Sequence, residues 1–163
     1  MKTALFYILS NALFWVIVHF LSSFLVHFIP SRFYDYKNIF FREKSIENRG
    51  LLYKKYFFIQ KWKDKIPEAG KFLGLHPFSK KHFESKNKEY IERFILETCR
   101  GELAHTLPFL FLPICFIWNP PVASIIMSLY ALFSNLPFIM VQRYNRIRLV
   151  KFLKYYFLIS NIF

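Results

Sequence analysis

The sequence predicts an all-α integral membrane protein with about three membrane helices and with amphipathic helices on the cytoplasmic side. Hydrophobic residues make up 55% of the chain, and the mean hydropathy is +0.24. Two long segments, 4–29 and 122–142, contain no Lys, Arg, Asp or Glu. All ten acidic residues lie between Asp35 and Glu102, together with most of the basic ones. Long apolar segments beside basic ones are typical of helices that cross a bilayer.

Residues 4–29 predict the first membrane helix. At 1.5 Å per residue they form roughly 39 Å of helix, enough to cross a ~30 Å hydrocarbon core with tilt. A cleaved signal peptide usually has an apolar region of about 7–15 residues, followed by a small-x-small cleavage site. This segment is longer and no convincing cleavage site follows it, so we predict an uncleaved helix. His19 and His27 within it could line the pocket, but solitary polar contacts are favoured.

The C-terminal half predicts a helical hairpin. Residues 122–142 form its longer limb, and residues 103–118 form a shorter limb that contains Pro108 and Pro113. The sequence Asn-Pro-Pro at 119–121 between them is typical of a turn. The shorter limb is marginal in length, so two alternatives stay open: it crosses fully, or it enters and leaves as a re-entrant helix.

The distribution of charge predicts the orientation of a single membrane domain, 1–163. Seventeen of the 23 basic residues lie in 31–103 and five follow the last span, whereas only Lys2 precedes the first span. Basic loops favour the cytoplasmic side. We therefore expect the N-terminus outside, 31–103 as a cytoplasmic and interfacial segment, and 143–163 as a cytoplasmic tail.

The middle segment mixes aromatic clusters with lysines, which predicts helices that lie in the lipid headgroup layer. Gly50 is expected to separate two such helices, and Pro67 with Gly70 to end the second. Residues 71–88 predict an exposed loop, and a helix is expected from about Asn87 into the hairpin.

Net charge and cysteine content exclude several classes of protein. The net charge is +13. The basic residues flank the lipid spans, which indicates contact with anionic lipids rather than with nucleic acid. Cys99 and Cys115 would lie roughly 24 Å apart on a continuous helix, so we expect free thiols. The sequence contains no metal-ligand spacing, no Gly-rich phosphate loop and no Gly-x-Ser-x-Gly motif.

A first polar face occupies an arc of about 140° on the helix that leads into the hairpin. Its members are Glu97, Thr98, Gly101, Glu102 and His105. Glu102 and His105 are three residues apart, and a carboxylate beside an imidazole suits a general base and its orienting group. Arg100 lies just outside the arc and is expected to bind an anionic group. The alternative is an ordinary solvated helix end.

A second polar face lies on the last span. Ser128, Asn135, Gln142 and Arg146 fall in a stripe about 40° wide. Arg143 and Asn145 add positive charge and an amide beside it. This face could form a substrate site. Alternatively, it is a helix-packing face followed by a basic segment that anchors the helix at the cytoplasmic side. We expect this face to meet the His105 face at one depth.

Three segments carry a resemblance to a known family. They are "FFIQKWKDKI" (57–66), "ILETCRGELAH" (95–105) and "ALFSNLPFIMVQRYNRIRL" (131–149). In their order, spacing and total chain length they resemble the glycosyl-4,4'-diaponeurosporenoate acyltransferase family of staphyloxanthin biosynthesis. The resemblance covers roughly residues 30–153, and the loop from Gly70 to Lys88 departs most from it.

The resemblance implies a bacterial cell-membrane enzyme that moves a fatty acyl group onto a sugar hydroxyl of a glycosylated carotenoid acid. The catalytic residues would be His105 as the base and Glu102 as its orienting group. The substrate-binding residues would be Glu97, Arg100, Trp62, Asn135, Gln142, Arg143, Asn145 and Arg146. We expect an activated acyl donor such as acyl-CoA, no metal and no other cofactor.

The partners would be membrane lipids and a glycosylated carotenoid or glycolipid acceptor, and a homo-oligomer stays open. Two alternatives remain: a non-catalytic membrane subunit or assembly factor, and a transferase that acts on another hydroxylated lipid.

Overall fold

The computed structural model describes the backbone of residues 2–66 and 87–159, and the side chains of residues 4–66 and 87–156. Its α-helices are α1 (Lys2–Phe28), α2 (Leu51–Lys55), α3 (Lys88–Thr106), α4 (Pro108–Phe111), α5 (Cys115–Trp118) and α6 (Pro121–Ile159). Its 3-10 turns are Ser31–Phe33, Ser45–Gly50, Ile59–Lys61, Lys63–Lys65 and Leu112–Ile114. The expected helix end at Pro67 and Gly70 and nearly all of the expected loop 71–88 lie outside the described residues.

Three segments are long and apolar enough to cross a membrane, which confirms the predicted all-α membrane fold. They are Ala4–Phe28, Lys88–Trp118 and Pro121–Tyr156. The helix α6 continues through the predicted cytoplasmic tail as far as Ile159. The predicted side of each terminus and the single-domain boundaries stay predictions.

The second span is an interrupted helix. The helix α3 ends at Thr106, and short helical segments continue the chain to Trp118. Pro108 is the first residue of one new segment and Pro113 the second residue of another, because proline has no backbone N–H for the helical ladder. The predicted continuation of the helix from about Asn87 into the hairpin is confirmed, and it extends the marginal limb 103–118 to a span of 31 residues.

The chain divides into two compact units. The first comprises Met1–Phe33 and Arg100–Ile139. Its apolar core contains Trp15, Val18, Cys115 and Ala131. The amides of Asn11 and Asn119 exchange two hydrogen bonds of 2.8 Å, which joins α1 to the end of α5 inside this unit.

The second unit comprises Tyr34–Cys99 and Met140–Phe163. One of its cores contains Tyr53, Ile59, Met140, Tyr144 and Ile147, and another contains Ile91, Phe94, Ile95 and Leu149. The apolar residues Ile91, Phe94 and Ile95 of α3 therefore form a packing face. Cys99 in this unit and Cys115 in the first are buried, and neither forms a disulfide, as expected.

Gly50 lies at the predicted break between two helical segments. It has φ +85°, and its backbone approaches the Tyr144 ring so closely that a Cβ would lie 3.4 Å from it. Asn48 and Arg49 also have positive φ, +42° and +53°. The Arg49 N–H donates to Glu43 Oε1 at 2.6 Å, which helps to hold this uncommon backbone.

The segment around α2 presents exposed aromatic rings beside lysines. Lys55 lies over the Tyr56 ring at 5.5 Å, and Lys61 lies over the Phe58 ring at 5.3 Å. The structure has short helical turns here where longer amphipathic helices were expected. Exposed aromatic and cationic side chains together are typical of a surface in the headgroup layer, and the contact with lipid stays a prediction.

Candidate functional site

The residues predicted for the site divide between the two units. Arg100, Glu102, His105 and Asn135 belong to the first, and Glu97, Trp62, Gln142, Arg143, Asn145 and Arg146 belong to the second. The expected meeting of the two polar faces stays a prediction.

In the first unit His105 contacts Asn135 and Phe138. His105 Nδ1 lies 3.1 Å from Asn135 Oδ1. The imidazole stacks on the Phe138 ring, with 4.4 Å between the ring centroids and an angle of 15° between the planes. The C-terminal end of α3 and the middle of α6 therefore hold the imidazole on one edge and on one face.

The hydrogen bonds of Asn135 determine which His105 nitrogen carries the proton. Asn135 Nδ2 donates to Ala131 O at 2.9 Å and to Ser134 Oγ at 3.2 Å. The amide oxygen therefore faces His105, and because it is only an acceptor, His105 Nδ1 must be the donor. A neutral His105 then has its lone pair on Nε2. This arrangement suits a base whose tautomer and orientation are fixed.

Glu102 is buried, and its backbone oxygen accepts a hydrogen bond from Thr106 Oγ1. Glu102 was expected to orient His105. In the structure the bond at His105 Nδ1 is made by Asn135 instead. The sequence placed Asn135 among the substrate-binding residues. A part for Glu102 in the reaction stays a prediction. The same holds for Glu97 and Arg100, both half-buried on α3.

In the second unit Arg143 binds Glu47 through two parallel hydrogen bonds. Nε donates to Oε1 at 2.7 Å, and Nη2 donates to Oε2 at 2.8 Å. Arg143 also donates to the backbone oxygens of Phe40 at 3.3 Å and Arg42 at 3.1 Å. A guanidinium matches a carboxylate in this two-pronged geometry.

Glu47 has further donors. The Tyr53 hydroxyl donates to Oε1, and the Lys44 N–H donates to Oε2. Burial alone would raise the pKa of Glu47, but the hydrogen bonds from Arg143, Tyr53 and Lys44 outweigh it and hold this pKa below its ordinary value. Burial, reinforced by the bond to Glu47, raises the pKa of Tyr53. The Tyr53 hydroxyl thus keeps its proton and continues to donate.

Arg146 extends this contact by one turn of α6. Its Nε donates to Phe41 O at 3.1 Å, and its guanidinium lies 5.5 Å from the centroid of the Phe41 ring. Arg143 and Arg146 together bind three successive backbone oxygens, at residues 40–42. These contacts give both arginines a structural role, and their contact with substrate stays a prediction.

The other predicted binding residues have simpler surroundings. Trp62 Nε1 donates to Phe57 O at 2.8 Å, which closes the turn between them. The Gln142 Oε1 atom is buried without a hydrogen-bond partner among the described residues. Asn145 is half-buried. Their roles toward substrate stay predictions.

Sequence reasoning missed Glu47 and Tyr53. Glu47 lies 96 positions before its partner Arg143, and nothing in the local pattern of either segment indicates the pairing. Among the described residues no group of three or more His, Cys, Asp or Glu side chains is arranged to hold a metal ion.

Comparison with known proteins points to one family. The model of the family described as glycosyl-4,4'-diaponeurosporenoate acyltransferase matches residues 30–155. A protein of that name from Staphylococcus aureus strain MRSA252 is 37% identical over 125 residues, which cover 77% of this chain and 74% of the relative. Proteins of the same name from strains bovine RF122 / ET3-1 and NCTC 8325 / PS 47 are 36% identical with the same coverage. No solved structure matches the chain.

Proposed function

The chain belongs to the glycosyl-4,4'-diaponeurosporenoate acyltransferase family, and from this premise we propose that it transfers a fatty acyl group to a sugar hydroxyl of a glycosylated carotenoid acid. The family and its relatives are named acyltransferases, so the chain is an acyltransferase. The observation that supports a mechanism is the bond from His105 to Asn135, which leaves Nε2 free to take a proton.

In the proposed reaction His105 acts as a general base. Nε2 takes the proton of the acceptor hydroxyl while the hydroxyl oxygen attacks the carbonyl carbon of an activated acyl donor, such as acyl-CoA. The bond between that carbon and the carrier sulfur then breaks. The departing thiolate takes the proton back from His105, so that ester and free thiol are the products and the enzyme returns to its first state.

Transfer is proposed to be direct, without an acyl-enzyme. A covalent intermediate needs an accessible nucleophile that a base activates. The two cysteines, Cys99 and Cys115, are fully buried, and neither is three or four residues from His105 on its helix. A direct attack by the acceptor needs only the base and the two aligned substrates.

The apolar spans suit the substrates of such a reaction. A fatty acyl chain and a carotenoid tail both partition into lipid, so an enzyme within the membrane meets them at high local concentration. We propose that the enzyme lies in the bacterial cell membrane with the acyl donor on the cytoplasmic side, as the charge distribution predicts. Labelling of a cysteine introduced at Asn119 tests this orientation, since labelling from the cytoplasm would contradict it.

The experiment that tests the function is an acyl-transfer assay in membranes that contain wild-type protein or His105→Ala at matched abundance. The acceptor is glycosylated diaponeurosporenoate, the donor is acyl-CoA, and mass spectrometry detects the added acyl group. We expect product with wild type and a rate lower by about 10²–10⁴-fold with the variant. Equal rates would refute His105 as the base.

The acceptor is tested separately from the base. If folded wild-type protein acylates other hydroxylated lipids but not the glycosylated carotenoid, the proposed acceptor is wrong and the acyltransferase activity stands. Lipid analysis of cells with and without the gene identifies which acylated product depends on it.

A further inference from the structure

The helix α1 lies outside residues 30–155, which the family model matches, yet it has a buried polar face of its own. Its buried residues are Asn11, Trp15, Val18, Ser22 and Val26. They recur every three or four positions, as one face of a helix does. Polar groups buried within a membrane span are costly unless they find partners, and they tend to be functional.

Among the described residues, only one of these polar side chains has its hydrogen bonds made. The Asn11 amide bonds to Asn119 and to Tyr7 O. By contrast, Trp15 Nε1 and Ser22 Oγ have no hydrogen-bond partner in the part of the chain that the structure describes, although the two residues are 2% and 0% exposed.

His19 lies between these two residues on α1. Its ring lies 5.9 Å from the Trp15 ring and 6.5 Å from the Tyr130 ring of α6, and its nitrogens make no hydrogen bond among the described residues. His19 is also near enough to His105 for the two imidazoles to interact electrostatically. These residues, Trp15, His19, Ser22, His105 and Tyr130, all belong to the first unit. His19, which lies between Trp15 and Ser22 on α1, thus links this face to the proposed base.

We propose that Trp15, His19 and Ser22 bind the sugar of the acceptor through hydroxyls other than the one that is acylated. This inference rests on the proposed function.

A sugar fits this set of groups better than the other parts of the substrates do. Each sugar hydroxyl both donates and accepts, so one ring can satisfy the indole N–H, the imidazole and the serine hydroxyl together. An acyl chain or a carotenoid chain has no acceptor for the Trp15 N–H. The Tyr130 ring, 5.5 Å from the Trp15 ring and 44% exposed, offers an apolar face for the C–H side of a sugar.

The test compares the KM for acceptor with the KM for donor in three variants, Trp15→Phe, His19→Phe and Ser22→Ala. Each substitution removes a polar group and keeps a similar shape. Ser23→Ala is the matched control, because Ser23 is the neighbouring serine on α1 and is half-exposed. We expect each of the three to raise the KM for glycosylated diaponeurosporenoate roughly 2- to 10-fold, while the KM for acyl-CoA and the values for Ser23→Ala stay at wild-type level.

A second measurement uses glycosides that lack one non-reacting hydroxyl. If Ser22 binds a given hydroxyl, wild type and Ser22→Ala should use the glycoside without that hydroxyl equally well. Trp15→Phe keeps the aromatic contacts and therefore the fold, so its result can be interpreted even if another variant is lost.

The proposal is overturned if the KM for acceptor is unchanged in Trp15→Phe and Ser22→Ala, or if acceptor and donor are affected alike. A wild-type protein that transfers acyl groups to no glycosylated acceptor would instead refute the proposed function itself. The two failures are therefore distinguishable in one set of assays.

Discussion

Two buried polar clusters of this protein differ in how completely their hydrogen bonds are used. Around Glu47 the carboxylate accepts from Arg143, Tyr53 and the Lys44 N–H, and Arg143 also binds two backbone oxygens. Around His105 one ring nitrogen is bound to Asn135 and the other is free for a proton. A cluster with its bonds fully made holds a fold together, whereas a cluster with an open group in a fixed direction can do chemistry.

The comparison also changes the interpretation of the basic sequence "VQRYNR". From sequence, its arginines are candidates for an anion site. In the second unit they bind the backbone of residues 40–42 and the side chain of Glu47. Glu47 thus provides the charge that an anionic substrate would otherwise offer.

The largest expected effect comes from breaking the Glu47 cluster. Glu47→Ala leaves the half-buried guanidinium of Arg143 without its carboxylate, and removing one partner of a buried pair costs about 3–5 kcal/mol. We expect the folded protein in membranes and its Tm in detergent to fall strongly. Both are measured by fluorescence-detected size exclusion before and after heating.

Glu89→Ala is the control for that prediction, because Glu89 is exposed at the start of α3. Its removal should leave abundance and Tm near wild type. If Glu47→Ala keeps wild-type Tm but loses activity, the Glu47 cluster belongs to the reaction and the comparison fails.

The next effect should appear in activity with the fold kept. Asn135→Leu removes the acceptor for His105 Nδ1, so the imidazole can adopt either tautomer and other orientations. We expect turnover to fall roughly tenfold to a hundredfold with little loss of protein, because leucine has a similar volume. The measurement is kcat at saturating acceptor, alongside Tm.

Ser128→Ala is the control on the same stripe of α6, since the Ser128 hydroxyl bonds only locally, to Ser124 O. It should leave kcat unchanged. An Asn135→Leu protein with full kcat would show that His105 needs no orienting group, or that His105 is not the base.

Much of the fold could be predicted from the sequence because its signals are local. The charge-free run 4–29 and the uncharged run 122–142 each specify a span by length and composition alone. Helical periodicity also placed Asn135, which contacts His105, on a polar stripe of α6. These properties depend on neighbouring residues and on helix geometry, not on distant partners.

The site was less predictable because its contacts join distant residues. Glu102 has the ideal spacing for His105 on α3, but the bond at Nδ1 comes from Asn135, 30 positions away on another helix. Glu47 gives no local signal of its partner. The unsatisfied Trp15 and Ser22 look like ordinary residues of a membrane helix until their surroundings are known.

A smaller effect tests how far the Glu47 cluster depends on the backbone beside it. Gly50→Ala places a Cβ on a residue with φ +85°, which should cost about 1–2 kcal/mol and lower the Tm. Arg49→Gly is the matched opposite change at φ +53°. Glycine tolerates this φ but gains freedom in the unfolded chain, so its stability should stay within about 1 kcal/mol of wild type. Equal Tm values for Gly50→Ala and wild type would contradict the backbone strain expected at this φ.

The smallest expected effect separates the charge of Glu47 from its shape. The folded-state pKa of Glu47 lies below its ordinary value of 4.5, so its ionised form adds stability that is fully present above pH 4.5 and is lost as the pH falls through the lowered pKa. Glu47→Gln keeps the size and one acceptor but has no charge to lose. We therefore expect wild type to have the higher Tm at pH 6–7, and the difference from Glu47→Gln to narrow steadily below pH 4.5. Glu89→Gln should show no such change. A Tm difference that stays constant down to pH 3 would mean that packing rather than charge makes Glu47 important for stability.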